Sequence, residues 1–179
     1  TGFATSKIGC PCEAGIERSL SLQETPDGRA GISILICSDK KNIKSNVAGR
    51  ISQCTWTRLT DPALNNGLPA DRMGRIGLAV SPADPDDVYA LIEASAPKAR
   101  GTYRSNDRGE SWARVGDYSA LGPQYYQELV PDPKKVDRVY SMDTYNQVTE
   151  DGGKTWSSWY NQSTAQIYRV STDRRFPYW

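Results

Sequence analysis

One short frame, present twice, constrains this chain more than anything else in it. Ser105-Asn-Asp107-Arg-Gly109-Glu-Ser-Trp112 and Thr149-Glu-Asp151-Gly-Gly153-Lys-Thr-Trp156 carry a hydroxyl, a carboxylate, a glycine and an indole at identical spacing. That order of groups predicts a tight reversal between two strands. The carboxylate can accept from backbone N–H groups inside the turn, and glycine supplies the positive φ that the reversal demands. The tryptophan buries a large ring beneath the turn, its indole N–H free to find a carbonyl. Ser105, Asp107, Gly109 and Trp112, and equally Thr149, Asp151, Gly153 and Trp156, therefore have turn-building jobs, and none of them is a reactive group. The rival reading of Asp107 and Asp151, as a catalytic carboxylate or calcium ligand, rests only on the ability of exposed turn carboxylates to hold calcium.

The frame belongs to a longer repeat. Leu78-Ala-Val-Ser-Pro-Ala-Asp-Pro-Asp-Asp-Val-Tyr89 aligns with Glu128-Leu-Val-Pro-Asp-Pro-Lys-Lys-Val-Asp-Arg-Val-Tyr140, each reading strand, Pro-containing turn, strand. Strands are expected at 76–80, 88–92, 102–105, 126–130, 139–142 and 166–170, separated by Pro-Asp and Asp-Gly turns. The first unit has a longer connection between Tyr89 and Asp107, which predicts a solvated hairpin extension around Ala94 to Arg100.

Before residue 55 the pattern differs. Gly31-Ile-Ser-Ile-Leu-Ile-Cys37 is an apolar run that follows the turn Pro26-Asp27-Gly28 and predicts a buried strand. Ile43, Val47, Ile51 and Cys54 recur at helical spacing after Ser38 or Asp39 as cap, which predicts an amphipathic helix. The expected organisation is a small α+β segment over 1–54, followed by a mainly β segment over 55–179.

Charge and composition narrow the functions available. Lys plus Arg number 22 against 21 Asp plus Glu, leaving a net charge of +1. Such a balance gives no field strong enough to hold nucleic acid or acidic lipid. No apolar span reaches the roughly 18 residues of a membrane helix. The chain has no histidine, so no Ser-His or Cys-His nucleophile pairing can be built. Four cysteines, Cys10, Cys12, Cys37 and Cys54, all lie in the first segment. Their spacing does not fit a zinc site, and buried thiols are favoured over disulfides. No metal and no cofactor is implied.

Two resemblances organise these observations. The repeated frame is similar to the Asp box of bacterial-neuraminidase-repeat proteins. Arg75-Ile-Gly-Leu-Ala-Val-Ser-Pro, Thr102-Tyr-Arg-Ser-Asn-Asp and Tyr168-Arg-Val-Ser-Thr-Asp173 resemble the bacterial propellers related to sortilin-type domains and xyloglucanases. Over 55–179 this implies about two and a half propeller-type blades, an incomplete propeller, and fold more than chemistry. Thr1-Gly-Phe-Ala-Thr-Ser6, Cys12-Glu-Ala-Gly-Ile-Glu17, Glu24-Thr-Pro-Asp-Gly-Arg29 and Gln53-Cys54 instead resemble an interior stretch of the formyltransferase that moves a formyl group between methanofuran and tetrahydromethanopterin. Thr55-Trp56-Thr-Arg58 looks like the end of an Asp box whose Asp and Gly positions hold Ile51 and Gln53, which implies two internal fragments joined at 54/55.

The functional expectation is a non-catalytic, propeller-type scaffold or binding module, chimeric or fragmentary, without a complete active site. Tyr125, Tyr126, Tyr145, Trp159 and Tyr160 are the candidate surface for a carbohydrate or a peptide, with inter-blade packing as their plainer role. Exposed strand edges point to self-association or partner chains. One alternative is a glycoside hydrolase fragment working through a carboxylate pair drawn from Glu93, Glu128 and Asp143. A second is a formyltransferase fragment acting on a tetrahydromethanopterin-type carrier. The propeller resemblance implies an extracellular or periplasmic location, the formyltransferase resemblance a cytoplasmic one.

Overall fold

The computed structural model describes residues 16–24, 30–41, 50–120, 127–143 and 145–158. Three antiparallel sheets are formed among them. The first contains β1 (Ile16–Glu24), β2 (Ala30–Lys41) and β3 (Arg50–Arg58), in that order. The second is a four-stranded meander of β4 (Met73–Val80), β5 (Val88–Ala94), β6 (Gly101–Ser105) and β7 (Ala113–Gly116). The third repeats the meander with β8 (Glu128–Pro131), β9 (Val139–Met142), β10 (Gln147–Thr149) and β11 (Ser157–Ser158). The expected strand at 166–170 lies outside the described residues.

The first sheet corrects one expectation. Ile51 and Cys54, assigned to an amphipathic helix, lie on β3, where Ile51 pairs with Lys40 and Cys54 with Cys37. Residues 50–58 include Ile51, Thr55, Trp56 and Thr57, the β-branched and aromatic types that suit a pleated surface. β2 offers them a row of backbone donors and acceptors along its side away from β1, and satisfying that row outweighs a helical spacing carried by only four side chains. Ile43 and Val47 lie outside the described residues. β3 runs through residues 54 and 55 without interruption.

The second sheet is a middle layer. In β5 the side chains of Val88, Ala90 and Ile92 join one core cluster, with Ile76, Met73, Tyr103 and Trp112. Ile32 from β2 and Leu59 just after β3 belong to that cluster as well, so the first sheet packs here. Tyr89 and Leu91 face the other way and join Ala79, Leu129 and Val139, which brings in the third sheet. Strict two-residue alternation along β5 thus feeds two cores, and Val88 through Ile92 are fully buried. Each large aliphatic side chain so placed contributes roughly 1.5–3 kcal/mol through burial.

The second and third sheets meet by direct backbone approach and by polar locks. A Cβ at Gly116 would lie 2.1 Å from the Gly153 carbonyl oxygen, so only glycine permits this approach. Tyr89 Oη donates to the Val136 carbonyl oxygen at 2.9 Å. Arg104 lies over the Tyr89 ring and pairs with Asp87 in its own sheet and with Asp137 in the neighbouring one, at 2.5 and 2.7 Å. Burial pushes the Tyr89 phenol up to about 12, with Arg104 pulling in the opposite direction.

The connections repeat as well. Ser81 N–H donates to Asp87 O, and Asp132 N–H to Arg138 O, both at 2.9 Å, closing the β4–β5 and β8–β9 turns alike. Between β5 and β6 the longer connection folds as a 3-10 turn over Pro97–Ala99, held by Arg100 Nε donating to Ala94 O at 2.6 Å.

Candidate functional site

The loop that leaves β3 and returns as β4 borders a cavity of about 240 Å³ with a mixed polar and apolar lining of Arg58, Thr60, Asp61, Pro62, Ala70, Asp71 and Met73. Asp61 caps a 3-10 turn over Pro62–Leu64, its Oδ1 accepting from Ala63 N–H at 2.9 Å. Asn65 ends that turn in the left-handed region at φ 45°. Asn66 Nδ2 then donates to Leu59 O at 2.8 Å, while Asn66 O accepts from Trp112 N–H at 2.7 Å. Asn66, midway along the loop, thus ties it both to its own start at Leu59 and to the second sheet at Trp112.

Arg58 Nε donates to Thr60 Oγ1 at 3.1 Å, which orients the guanidinium at the cavity. Thr60 and Met73 form the buried floor, and Asp61 and Asp71 are exposed at the rim. One guanidinium, one hydroxyl and two carboxylates make a site for a ligand carrying both an anionic or carbonyl oxygen and N–H donors. The volume falls below the roughly 300–1,000 Å³ of pockets that take a whole small molecule. Among the described residues no group of three or more Cys, Asp and Glu is placed to hold a metal ion.

The residues singled out by the repeat lie elsewhere. Ser105 Oγ accepts from Gly109 N–H at 2.8 Å and donates to Asp107 Oδ1 at 2.7 Å. Asp107 also accepts from Ser111 N–H at 2.9 Å and from Ser111 Oγ at 2.5 Å. Thr149, Gly153, Asp151 and Thr155 repeat the same four bonds at 2.9, 2.8, 2.9 and 2.6 Å. Trp112 and Trp156 each return an indole N–H to the glycine carbonyl, Gly109 O at 3.0 Å and Gly153 O at 3.2 Å. For Asp151 partial burial raises the pKa, but the bonds from Thr155 and Thr149 outweigh it and hold the carboxyl at about 2. Asp107 is lowered by the same balance. Both carboxylates are occupied as turn acceptors.

The other candidates are scattered. Tyr145 is 49% exposed, while Tyr125, Tyr126, Trp159 and Tyr160 lie outside the described residues. Glu93 stands on β5 with Oε2 accepting from Arg75 N–H at 3.2 Å. Glu128 is exposed at the start of β8, opposite Met142, and Asp143 is buried just beyond β9. No motif announces the cavity residues in the sequence. Their one cue is the cluster Thr60-Asp61-Pro62, a capped turn directly after a β-rich stretch.

Similarity to known proteins falls on this part of the chain. A family model described as formylmethanofuran-tetrahydromethanopterin formyltransferase matches residues 1–81, past residue 54 and across every residue that lines the cavity. The formylmethanofuran–tetrahydromethanopterin formyltransferase of Methanosarcina barkeri is 49% identical over 79 residues, covering 43% of this chain and 26% of that protein. The enzyme of the same name from Archaeoglobus fulgidus is 50% identical over 70 residues, 38% of this chain and 23% of the relative. That of Methylococcus capsulatus is 51% identical over 61 residues, 34% and 20% respectively. The chain thus spans about a quarter of the length of the first two relatives and less of the third. These matches overturn the expectation of a non-catalytic scaffold or binding module, because the similarity is to a family of enzymes and favours the formyl-transfer alternative. Across its first 81 residues the chain is similar to formylmethanofuran–tetrahydromethanopterin formyltransferases.

Proposed function

We propose that this chain contributes to formyl transfer between a methanofuran-type donor and a tetrahydromethanopterin-type acceptor, as one part of the machinery that such a reaction needs. The observation that carries the reading is the 49% identity over 79 residues to a curated enzyme of that name. Formyl transfer needs a group that stabilises the oxygen of the tetrahedral intermediate and groups that hold the attacking and leaving atoms in line. In this reading Arg58 binds a carboxylate or the developing oxyanion, and Asp61 and Asp71 accept from N–H donors of the carrier. The reading also brings with it the cytoplasmic alternative for the compartment. The two four-stranded meanders, each clamped by the same turn between its third and fourth strands, support propeller-type units for the remainder of the chain.

Isothermal titration of the chain with tetrahydromethanopterin and, separately, with formylmethanofuran tests the proposal. Saturable binding of at least one carrier is expected, weakened about tenfold in Arg58→Ala, the loss of one charge-assisted contact of ~1.4 kcal/mol. A folded chain that binds neither carrier at millimolar concentration would overturn it.

A further inference from the structure

The strand pairing at β3 places two cysteines opposite each other. β2 and β3 pair without a register shift from Ser33↔Arg58 to Lys41↔Arg50, and Cys37↔Cys54 is one of the pairs. One step beyond Ser33↔Arg58, Leu59 N–H donates to Ile32 O at 2.8 Å, which makes 32/59 a hydrogen-bonded pair. Hydrogen-bonded and non-hydrogen-bonded pairs alternate along an antiparallel ladder. Counting from 32/59, positions 33/58, 35/56 and 37/54 are the non-hydrogen-bonded ones. At such positions opposed Cα atoms stand about 4.5 Å apart, inside the roughly 4.4–6.8 Å that a disulfide spans.

We propose that Cys37 and Cys54 form a redox-active dithiol that hydrogen peroxide closes into a cross-strand disulfide. One thiol gives up its proton and the thiolate attacks the peroxide; the O–O bond breaks to leave a sulfenic acid and a hydroxide, which takes up the released proton as water. The second thiolate then attacks that sulfur, the S–O bond breaks, and a second water leaves as the S–S bond forms. Two thiols and one peroxide give one disulfide and two waters, the sulfurs losing the two electrons that the peroxide gains. Closure ties β2 to β3 on the strand that ends at Arg58, so the bond secures the element presenting that guanidinium. The dithiol rests on strand register alone and stands whether or not the chain takes part in formyl transfer.

Tryptic mapping after peroxide treatment tests it on the whole chain, because the cysteines fall on separable peptides. Cleavage after Lys and Arg places Cys37 in 30–40, Cys54 in 51–58, and Cys10 with Cys12 in 8–18. The expected product of the native chain is a 30–40/51–58 link in at least ~10-fold excess over any other linkage, with the preference lost in 8 M urea. A chain carrying Cys10→Ser and Cys12→Ser should form the same link at an unchanged rate, and the oxidised form should unfold several degrees higher than the reduced one. Links confined to 8–18, links involving 8–18 in equal yield, or oxidation to sulfinic acid without a link would each overturn the proposal.

Discussion

The turns at 105–112 and 149–156 are built from the same hydrogen bonds, yet their tryptophans serve different neighbours. Trp112 is buried in the core of its own sheet, and its backbone N–H holds the cavity loop through Asn66. Trp156 instead reaches back to the preceding sheet. It stacks on Tyr118 with ring centroids 4.7 Å apart, and its indole N–H also donates to Thr102 Oγ1 at 3.1 Å. The difference shows what a local motif can and cannot determine. Hydroxyl, carboxylate and glycine close the turn by themselves, whereas the ring beneath it takes whichever surface the neighbouring layer offers.

Alanine at the two turn glycines should separate these roles most widely. Gly109 and Gly153 both sit in the left-handed region, at φ 89° and 93°, so each substitution carries a backbone cost of ~1–2 kcal/mol. At Gly153 the new Cβ would also press on the preceding sheet, 2.6 Å from Thr102 Cγ2. Overpacking adds ~1–3 kcal/mol, so Gly153→Ala should lower the urea midpoint clearly more than Gly109→Ala. Equal losses would mean that the junction between the sheets yields freely.

Acid should distinguish the turns next. Asp151 is held at about 2 in the folded chain, below its ordinary value of 3.8. Its contribution to stability is therefore complete above the ordinary carboxylate range and is lost as pH falls from about 4 through about 2. Asp151→Asn should flatten the dependence of the unfolding midpoint on pH between 4.5 and 2.5 more than Asp107→Asn does. A profile unchanged by Asp151→Asn would remove that carboxylate from the account of acid unfolding.

The smallest effect is expected at the residue before each glycine. Arg108 has a positive φ of 62° where the other turn has Gly152 at 71°, and a left-handed non-glycine residue costs ~1–2 kcal/mol. Arg108 also forms an ion pair with Asp86 that is half exposed and contributes ~0–1 kcal/mol. Glycine's greater freedom in the unfolded chain offsets part of the relieved strain. Arg108→Gly should accordingly shift the midpoint little or raise it slightly, and a marked loss would show that the pair with Asp86 does more than its exposure suggests.

Much of the second and third sheets is legible in the sequence. The apolar run at 88–92 and the Asp-Arg-Gly and Asp-Gly-Gly turns carry their own instructions, because each depends on residues a few positions apart. β7 and β10 are not foreseeable in this way, since strands of four and three residues with mixed side chains carry no periodic signal. β3 misleads because the spacing of Ile43, Val47, Ile51 and Cys54 imitates a helix, while what makes residues 50–58 a strand is their partner β2. The cavity is equally hidden. Arg58, Thr60, Asp61 and Asp71 are ordinary surface residues in the sequence, and they become a site only when a capped turn and Asn66 fold the loop back against Trp112.

The middle position of β5 has a consequence for how the molecule opens. With Val88 through Ile92 covered on both faces, its amides cannot meet solvent through the separation of one layer alone. In a hydrogen-exchange experiment they belong to the slowest class, released only when the assembly of layers comes apart. The second sheet is thus a shared organ of its two neighbours, and severing the chain on either side of it would leave one of its faces bare to water.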